Sequence, residues 1–382
     1  MPETFLHGVE LLEIDTGVRP ISSVRYSVIG IIGTAPLANA TKFPINTPVL
    51  LTGVMPSETD LGVSGTLYDG IKGIFDQAGA VVVVVRVTSS ETHNVQVANL
   101  VGSSGDLTGV HAFEKAQSVL GVEPRILIAP GFTTEASVLN ELLVVANKLR
   151  SVIVADAGVA GATPSEAQNY ANDFDSNRIY MVYPQVKVSQ NGDEVSKPAS
   201  SRVAGIIAKT DNDKGFWWSP SNQTILGILG TDYPVGFVMG EPTSLANILN
   251  EQKLATIINV GGFRLWGNRT LSSDAKWVFL QTRRTADIIN DSLLKKHLWA
   301  VDRNITKTYI SDVTFGVNSY LNDLVAQGAI LGGKCWADPD LNTPTAIAQG
   351  KVYFSFDFTP PYPAEHITFR SLLTLDYLQD VV

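Results

Sequence analysis

The run AVVVVVRV, Ala80 to Val87, restricts the fold more than any other stretch of this chain. Valine is β-branched and favours extended backbone, and successive side chains on a strand point to opposite faces. With an apolar residue at every valine position, both faces need a covering layer, which is the condition of an inner strand in a parallel sheet. Parallel neighbours are joined by crossovers, usually helical, so the flanking sequence has to alternate between helix and strand.

It does. YSVIGIIGTA and TPVLLTG are β-rich runs broken by Gly and Pro. TLYDGIKGIFDQAG reads as a short helix with Leu67, Ile71 and Ile74 at helical spacing, directly before the valines. HAFEKAQSVLG then reads as helix, RILIAPG as strand, and TTEASVLNELLVVANKLR as a helix with a threonine cap. SVIVADAG is a strand, TPSEAQNYANDF a capped helix, RIYMVYPQV a strand and SRVAGIIAKT a helix. The pattern predicts an α/β layer around a mostly parallel, right-handed sheet.

After Gly215 the texture changes. FWWSPSNQTILGILG is aromatic and turn-rich, and it leads to GGFRLWGNRTLSSD, Gly261 to Asp274. There Gly261, Gly262 and Gly267 permit a tight backbone course, and Phe263, Leu265 and Trp266 supply apolar anchors. Arg264 and Arg269 are positioned to hold carboxylates or carbonyls. Ser272, Ser273 and Asp274 are expected to cap the long amphipathic helix that follows, AKWVFLQTRRTADIINDSLLKKHLWAVDR. We read the stretch as a structural joint centred on Arg264, Trp266, Gly267, Asn268 and Arg269. The long helix should turn Phe279, Thr282, Ala286, Ile289 and Leu293 inward, with Arg284, Asp287, Asp291 and Lys295 along another face.

A second helix, VTFGVNSYLNDLVAQG, ends at Gly328. KVYFSFDF alternates like a strand, with Val352, Phe354, Phe356 and Phe358 on one face. HITFRSLLTLDYL also alternates, with Ile367, Phe369, Leu373, Leu375 and Tyr377 on one side. The stiff, proline-rich TPPYPAE separates the two. Both chain ends thus read as strands with no evident internal partner, although pairing within the same domain is the ordinary outcome for a last strand.

Composition narrows the function classes. The formal net charge is −9, whereas neutralising nucleic-acid phosphates or anionic lipid needs an excess of lysine and arginine. Cys335 is the single cysteine, so no intrachain disulfide forms. No apolar run approaches the ~18–20 residues of a membrane-spanning helix. The opening MPETFLHGVELLEID is acidic and lacks a continuous apolar core, so a secretory leader is not expected and folding in a reducing cytosol is.

Catalytic motifs are scarce. GAILGGKC, Gly328 to Cys335, has the spacing of a phosphate loop, but Cys335 stands where the magnesium-ligating hydroxyl belongs. It also follows a helix instead of a strand, so a glycine helix cap explains it. His7, His93, His111, His297 and His366 are far apart, and none has metal-ligand spacing. The best enzyme alternative is a site at the carboxyl ends of the sheet strands near Gly131 and Asp156. Asp-Ala-Gly after a strand is also ordinary turn chemistry. No catalytic, cofactor-binding or metal-ligating residue is assigned, and no cofactor is expected.

Taken together, FLHGVELLEIDTGVRPI, SSVRYSVIGIIGTAPLA, FPINTPVLLTG, GFWWSPSNQTILGI, FRLWGNRTLSSDAKWVFLQTRRTADIINDSL, WAVDRNITKTYISDVT and CWADPDLNTPTAIAQGKVYFSFDFTPPYPAEHITFR resemble contractile tail sheath proteins. The nearest group is the short sheaths of P2-like bacteriophages and R-type pyocins. Trp-Gly-Asn-Arg-Thr is the most specific element, and the match runs through nearly the whole chain in order. The resemblance implies a non-enzymatic machine part. Its six-subunit rings stack helically around a rigid inner tube and shorten from a metastable extended state, driving the tube through a target envelope. It implies self-association, contacts with tube, baseplate and tail terminator proteins, and neither nucleic acid nor membrane as partner. The setting it implies is a virion tail or tail-like particle assembled in the bacterial host cytoplasm.

The implied organisation is an N-terminal arm at 1–20, an outer α/β domain at 21–255, an inner tube-facing α+β domain at 256–363 and a C-terminal arm at 364–382. The arms would add strands to a neighbour's sheet through Phe5, Val9, Leu11, Ile367, Phe369, Leu373, Leu375 and Tyr377. Arg283, Arg284, Lys295 and Lys296 are the candidate tube-facing residues. The competing reading of these four is a solvated helix face with internal pairs to Asp287 and Asp291.

Overall fold

A computed structural model describes residues 26–375. In chain order the first half contains β1 (Ile29–Thr34), β2 (Val49–Thr52), α1 (Glu58–Leu61), α2 (Leu67–Phe75), β3 (Val81–Val87) and α3 (His93–Val101). A 3₁₀ segment, Gly109–Lys115, leads into α4 (Ala116–Leu120), β4 (Ile126–Ile128), α5 (Ala136–Leu149), β5 (Val152–Asp156), α6 (Pro164–Asn172) and β6 (Ile179–Val182). Then come β7 (Val186–Gln190), β8 (Asp193–Lys197), α7 (Ser200–Lys214), β9 (Gly230–Thr231), α8 (Leu245–Glu251), β10 (Thr256–Asn259) and β11 (Phe263–Trp266). The last part holds α9 (Leu280–Lys296), a 3₁₀ turn at Leu298–Ala300, α10 (Lys307–Ala326), β12 (Gly332–Ala337), α11 (Pro344–Ala348) and β13 (Phe354–Thr359).

The central sheet has the order β2-β3-β1-β4-β5-β6. Every pairing from β3 to β6 is parallel, and β2 is an antiparallel edge strand on β3. The valine run behaves as its composition requires. Val82 and Val84 enter one apolar core, with Leu67, Ile71 and Ile74 of α2 and Val203 and Ile207 of α7. Val83, Val85 and Val87 enter the opposite core, with Phe113 and with Val138, Leu142 and Val145 of α5. Burying a valine side chain is worth roughly 1.5–3 kcal/mol, so this strand contributes to both layers. The helices α2 and α7 cross closely because Gly205 has no side chain. A Cβ there would lie 2.7 Å from the Ile74 carbonyl oxygen.

A third core is built by Phe216, Ile288 and Ile289 of α9, Val317, Tyr320, Leu321 and Leu324 of α10, and Cys335 of β12. The strands β12 and β13 pair antiparallel over this helical layer, with Cys335 opposite Phe356. Phe354, Phe356 and Phe358 pack on the third core, as their alternation predicts. Gly328 takes φ +76° after α10 and the chain then enters β12, so the phosphate-loop spacing is a helix-to-strand link.

Just past residue 255, Ile257 of β10 and Leu265 of β11 pack in the core of the central sheet. Ala255 also continues the sheet edge, donating its N–H to the Met181 carbonyl. The long helix begins at Leu280, with Phe279 in the cap position and no side-chain cap. Ser273 bonds Asp175 instead, its N–H and Oγ donating at 2.8 and 2.5 Å.

Candidate functional site

The stretch Gly261–Asp274 is wired into three neighbours. Gly261 and Gly262 take positive φ and close the β10–β11 hairpin. The free edge of β11 is met by residues 222–225, with Leu265 N–H donating to the Gln223 carbonyl and Ile225 N–H to that of Phe263. Arg264 donates to the carbonyls of Val260 and Asn222 at 3.1 and 3.0 Å. Trp266 stands edge-on to Phe237 beside a recess of about 290 Å³ lined also by Met239 and Ile258.

Gly267 sits at φ +140°, where an added Cβ would lie 2.8 Å from the Ala255 Cα. Its carbonyl accepts from the buried Tyr180 hydroxyl at 2.7 Å, and its N–H donates to Ser221. Asn268 accepts from Ser219 through its side-chain oxygen. The backbone of Arg269 forms an antiparallel bridge with Phe279, flanked by bonds from Thr270 N–H to the Val278 carbonyl and from Leu280 N–H to that of Asn268. The stretch therefore ties the edge of the central sheet to the start of α9. The sequence could suggest its tight backbone, but not which elements it joins.

The charged residues of α9 are largely buried. Arg284 is 4% exposed and grips Asp211 of α7 through both Nη atoms, at 2.7 and 2.5 Å. Its Nη2 also donates to the Tyr26 carbonyl at 3.1 Å. Burial pushes the Asp211 carboxyl above its ordinary range, and the Arg284 charge opposes that shift. Asp287 accepts from Arg178 of the sheet edge at 2.6 and 3.0 Å, and from Arg283 one turn earlier on α9 at 2.8 Å. The Arg283 guanidinium also lies 4.3 Å from the Trp277 ring centroid. Asp291 pairs with Arg125 and, at 3.2 Å, with Lys295.

Arg283 and Arg284 are therefore engaged by carboxylates of their own subunit, Arg283 through the internal pair to Asp287 that the solvated-face reading expected and Arg284 through the buried Asp211. Their partners come from strands and helices far away in sequence, so i,i+4 spacing exposed only the pairs internal to α9. Lys295 is exposed and pairs with Glu123 at 2.5 Å, and Lys296 is exposed.

Asp156 ends β5 beneath the N-terminus of α7. It is 2% exposed, and its two oxygens accept from the N–H and Oγ of Ser200 at 2.9 and 2.6 Å. A carboxylate there complements the positive end of a helix dipole, which gives Asp156 a structural role. Burial nevertheless raises its pKa to about 6. Gly131 takes φ +80° in the turn after β4. Among the described residues no cluster of His, Cys, Asp and Glu is placed to hold a metal ion. No helix among them is long and apolar enough to cross a membrane.

The sheet of β12 and β13 has two strands only among the described residues. Its two edges differ. Asn318 of α10 accepts from Cys335 N–H at 2.8 Å and donates to the Cys335 carbonyl at 2.9 Å, occupying the middle of the outer β12 edge. Cys335 thus turns its backbone groups away from β13. Antiparallel alternation makes its partner Phe356 turn its own groups outward on the far edge. Phe354 and Phe358 share that direction, and no described strand meets this edge.

Beyond β13 the chain runs without regular structure to residue 375. The strand expected from His366 onward is therefore not formed within the described subunit. Its apolar residues are strongly exposed, with Phe369 and Leu373 each at 93%, and Ile367 and Leu375 are exposed too. Phe5, Val9, Leu11 and Tyr377 lie outside the described residues.

Three family models match successive parts of the chain. The phage tail sheath C-terminal domain covers residues 272–374, the phage tail sheath protein central domain 105–271, and the tail sheath protein Gp18 domain III N-terminal region 27–87. The chain is 41% identical to a prophage major tail sheath protein of Pseudomonas aeruginosa (strain UCBPP-PA14), over 99% of each chain. It is 35% identical to the tail sheath protein of Escherichia phage P2, covering 98% of this chain and 97% of that one. Its fold is similar to the anti-feeding prophage helical sheath in the contracted state, at TM-score 0.72 and 23% identity over 98% and 100% of the two chains. It is equally similar to the PVC sheath complex of an extracellular contractile injection system in the contracted state, at TM-score 0.73 and 18% identity over 99% and 100%.

Proposed function

Since the chain belongs to the phage tail sheath family, we propose that it is the structural subunit of a contractile sheath in a phage tail or tail-like particle. Copies polymerise as stacked six-subunit rings around an inner tube. They shorten from a metastable extended state and drive the tube through a target envelope. The work is released from packing stored during assembly, and the protein performs no catalysis. Assembly takes place in the bacterial host cytoplasm, with tube, baseplate and terminator proteins as further partners.

The observation that carries this reading is the β13 edge left unpaired among the described residues, together with the exposed apolar segment Ile367–Leu375. Two-stranded sheets are marginal alone, and an open edge is a template for another chain. Strand addition satisfies the edge groups of β13 and buries the apolar tail of a second copy. Donation from one copy to the next is a heterologous contact, which builds open helices when it does not close. The N-terminal residues 1–20 serve as a second arm. The body from the central sheet to β11 forms the outer layer, and α9 to β13 the inner, tube-facing one. Lys295 and Lys296, on the exposed end of α9, remain candidate tube contacts.

Deleting the residues after Pro363 tests the reading. The truncated subunit is expected to keep its far-ultraviolet spectrum and melting temperature but to stay small in gel filtration. Large assemblies from that truncation would refute strand donation by the C-terminal arm.

A further inference from the structure

One ion pair joins the most distinctive stretch of the sequence to the segment that leaves the molecule. Arg269 donates from Nε to both Glu365 oxygens, at 2.9 and 3.1 Å, and from Nη2 to one of them at 2.6 Å. The Arg269 guanidinium also lies 5.9 Å from the Phe279 ring centroid. The Tyr362 ring meets the same Phe279 ring edge-on at 6.0 Å. Glu365 N–H turns back on the Pro363 carbonyl at 2.9 Å, so the proline-rich spacer presents Tyr362 and Glu365 together.

The receiving side is rigid. The bridge between Arg269 and Phe279 fixes two of the four side chains relative to each other, and backbone bonds lock it on either side. Arg269 is therefore held by its main chain before it meets Glu365, which lowers the entropy lost on forming the pair. A planar guanidinium that engages both carboxylate oxygens also sets the direction of its partner, which a lysine would not. Immediately beyond Glu365 the strongly exposed apolar residues begin.

We propose that Arg269, Phe279, Tyr362 and Glu365 form an anchor that fixes where, and in which direction, the C-terminal arm leaves its own subunit. This rests on the reading that the arm is donated to a second copy. Arg269 and Glu365 act as positioning residues, and the strand contact itself belongs to the segment after Glu365. An anchored arm samples fewer directions before it meets the neighbouring β13 edge, so its effective concentration there rises. The pair is about one-third exposed at each partner, so salt weakens it. The anchor thus adds a salt dependence to assembly that lies outside the strand contact itself.

The test uses the full-length protein and its sedimentation as polymer. Glu365→Gln and Arg269→Gln are each expected to raise the critical concentration about fivefold, the scale of a well-oriented exposed pair. The double variant should rise no further than either single one. Raising the salt should weaken assembly of the native protein more than that of Glu365→Gln. In unassembled protein, trypsin should cut after Arg370 several-fold faster once the anchor is lost. Glu365→Gln lies outside the packed platform, so its melting temperature should match the native value even if Arg269→Gln is less stable. Native critical concentration and native cleavage rate in Glu365→Gln overturn the anchor, as do effects that add in the double variant. If truncation after Pro363 abolishes assembly while both single variants assemble normally, the anchor alone fails. If the truncation also assembles normally, arm donation fails and the proposal loses its premise.

Discussion

Replacing Arg284 by Met removes the only cation hydrogen-bonded to a fully buried carboxylate among the described residues. Asp211 has 0% side-chain exposure, and Arg284 engages both of its oxygens. Breaking a buried pair by removing one partner costs about 3–5 kcal/mol. A second route bounds the same quantity. A carboxylate that becomes intolerable takes up a proton, and neutralising Asp211 at pH 7 from an ordinary value of 3.8 costs about 4 kcal/mol. That ceiling falls by about 1.4 kcal/mol per pH unit, to about 1.6 kcal/mol at pH 5. Removing Arg284 pushes the already raised Asp211 value further up, so the deficit of the variant must shrink as pH falls.

The assay is urea unfolding of dilute, unassembled protein by tryptophan fluorescence at pH 7 and pH 5, for the native chain, Arg284→Met and Arg284→Met/Asp211→Asn. We expect a loss of about 3–4 kcal/mol at pH 7 for the single variant and roughly half of that at pH 5. The double variant should recover stability at pH 7 and lose the extra pH dependence. A pH-7 loss below about 1 kcal/mol, or one that is equal at both pH values, refutes the assignment of Arg284 to a buried pair.

Two further predictions concern single positions. Asp156 has its folded value raised to about 6, so its contribution to stability is fully present below about 3.8 and is lost as pH rises through 6, a change of about 3 kcal/mol. Asp156→Asn can still accept from Ser200 N–H and can donate to Ser200 Oγ. It should flatten stability from pH 4 to 8 and match or exceed the native protein at pH 8. Thermal melts across that range check it, and an unchanged pH slope contradicts it. Gly267→Ala forces a Cβ within 2.8 Å of the Ala255 backbone at φ +140°, and should cost about 2–3 kcal/mol. A melting temperature equal to that of the native protein would contradict this account of the junction.

Much of the central layer was legible in the sequence because its physics is local and repetitive. The valine run reports burial on both faces through composition alone, and Thr163 with Glu166 announces a helix start that forms as a reciprocal capping box. The β7–β8 hairpin also carries a readable turn signal. Asn191 and Gly192 both take positive φ between the two strands, as an Asn-Gly turn in a hairpin requires.

The α9 seam was not legible. Arg284, Asp287 and Asp291 look like a solvated face when their partners Asp211, Arg178 and Arg125 are 73 to 166 residues away. Buried charges are rare enough that sequence pattern argues against them, and only the fold reveals the pairing. The terminal alternation after His366 has the pattern of a strand, yet a strand exists only with a partner. Within the described subunit that partner is missing, which is the physical content of the donated-arm reading.

The most direct measurement is a helical reconstruction, by electron cryo-microscopy, of cylinders assembled from the purified protein. The account predicts an additional strand from another copy, containing Ile367, Phe369 and Leu373, paired along the outer edge of β13 where Phe354, Phe356 and Phe358 direct their backbone groups. Cylinders in which that edge stays unpaired, or in which residues 366–375 fold back onto their own subunit, would contradict it.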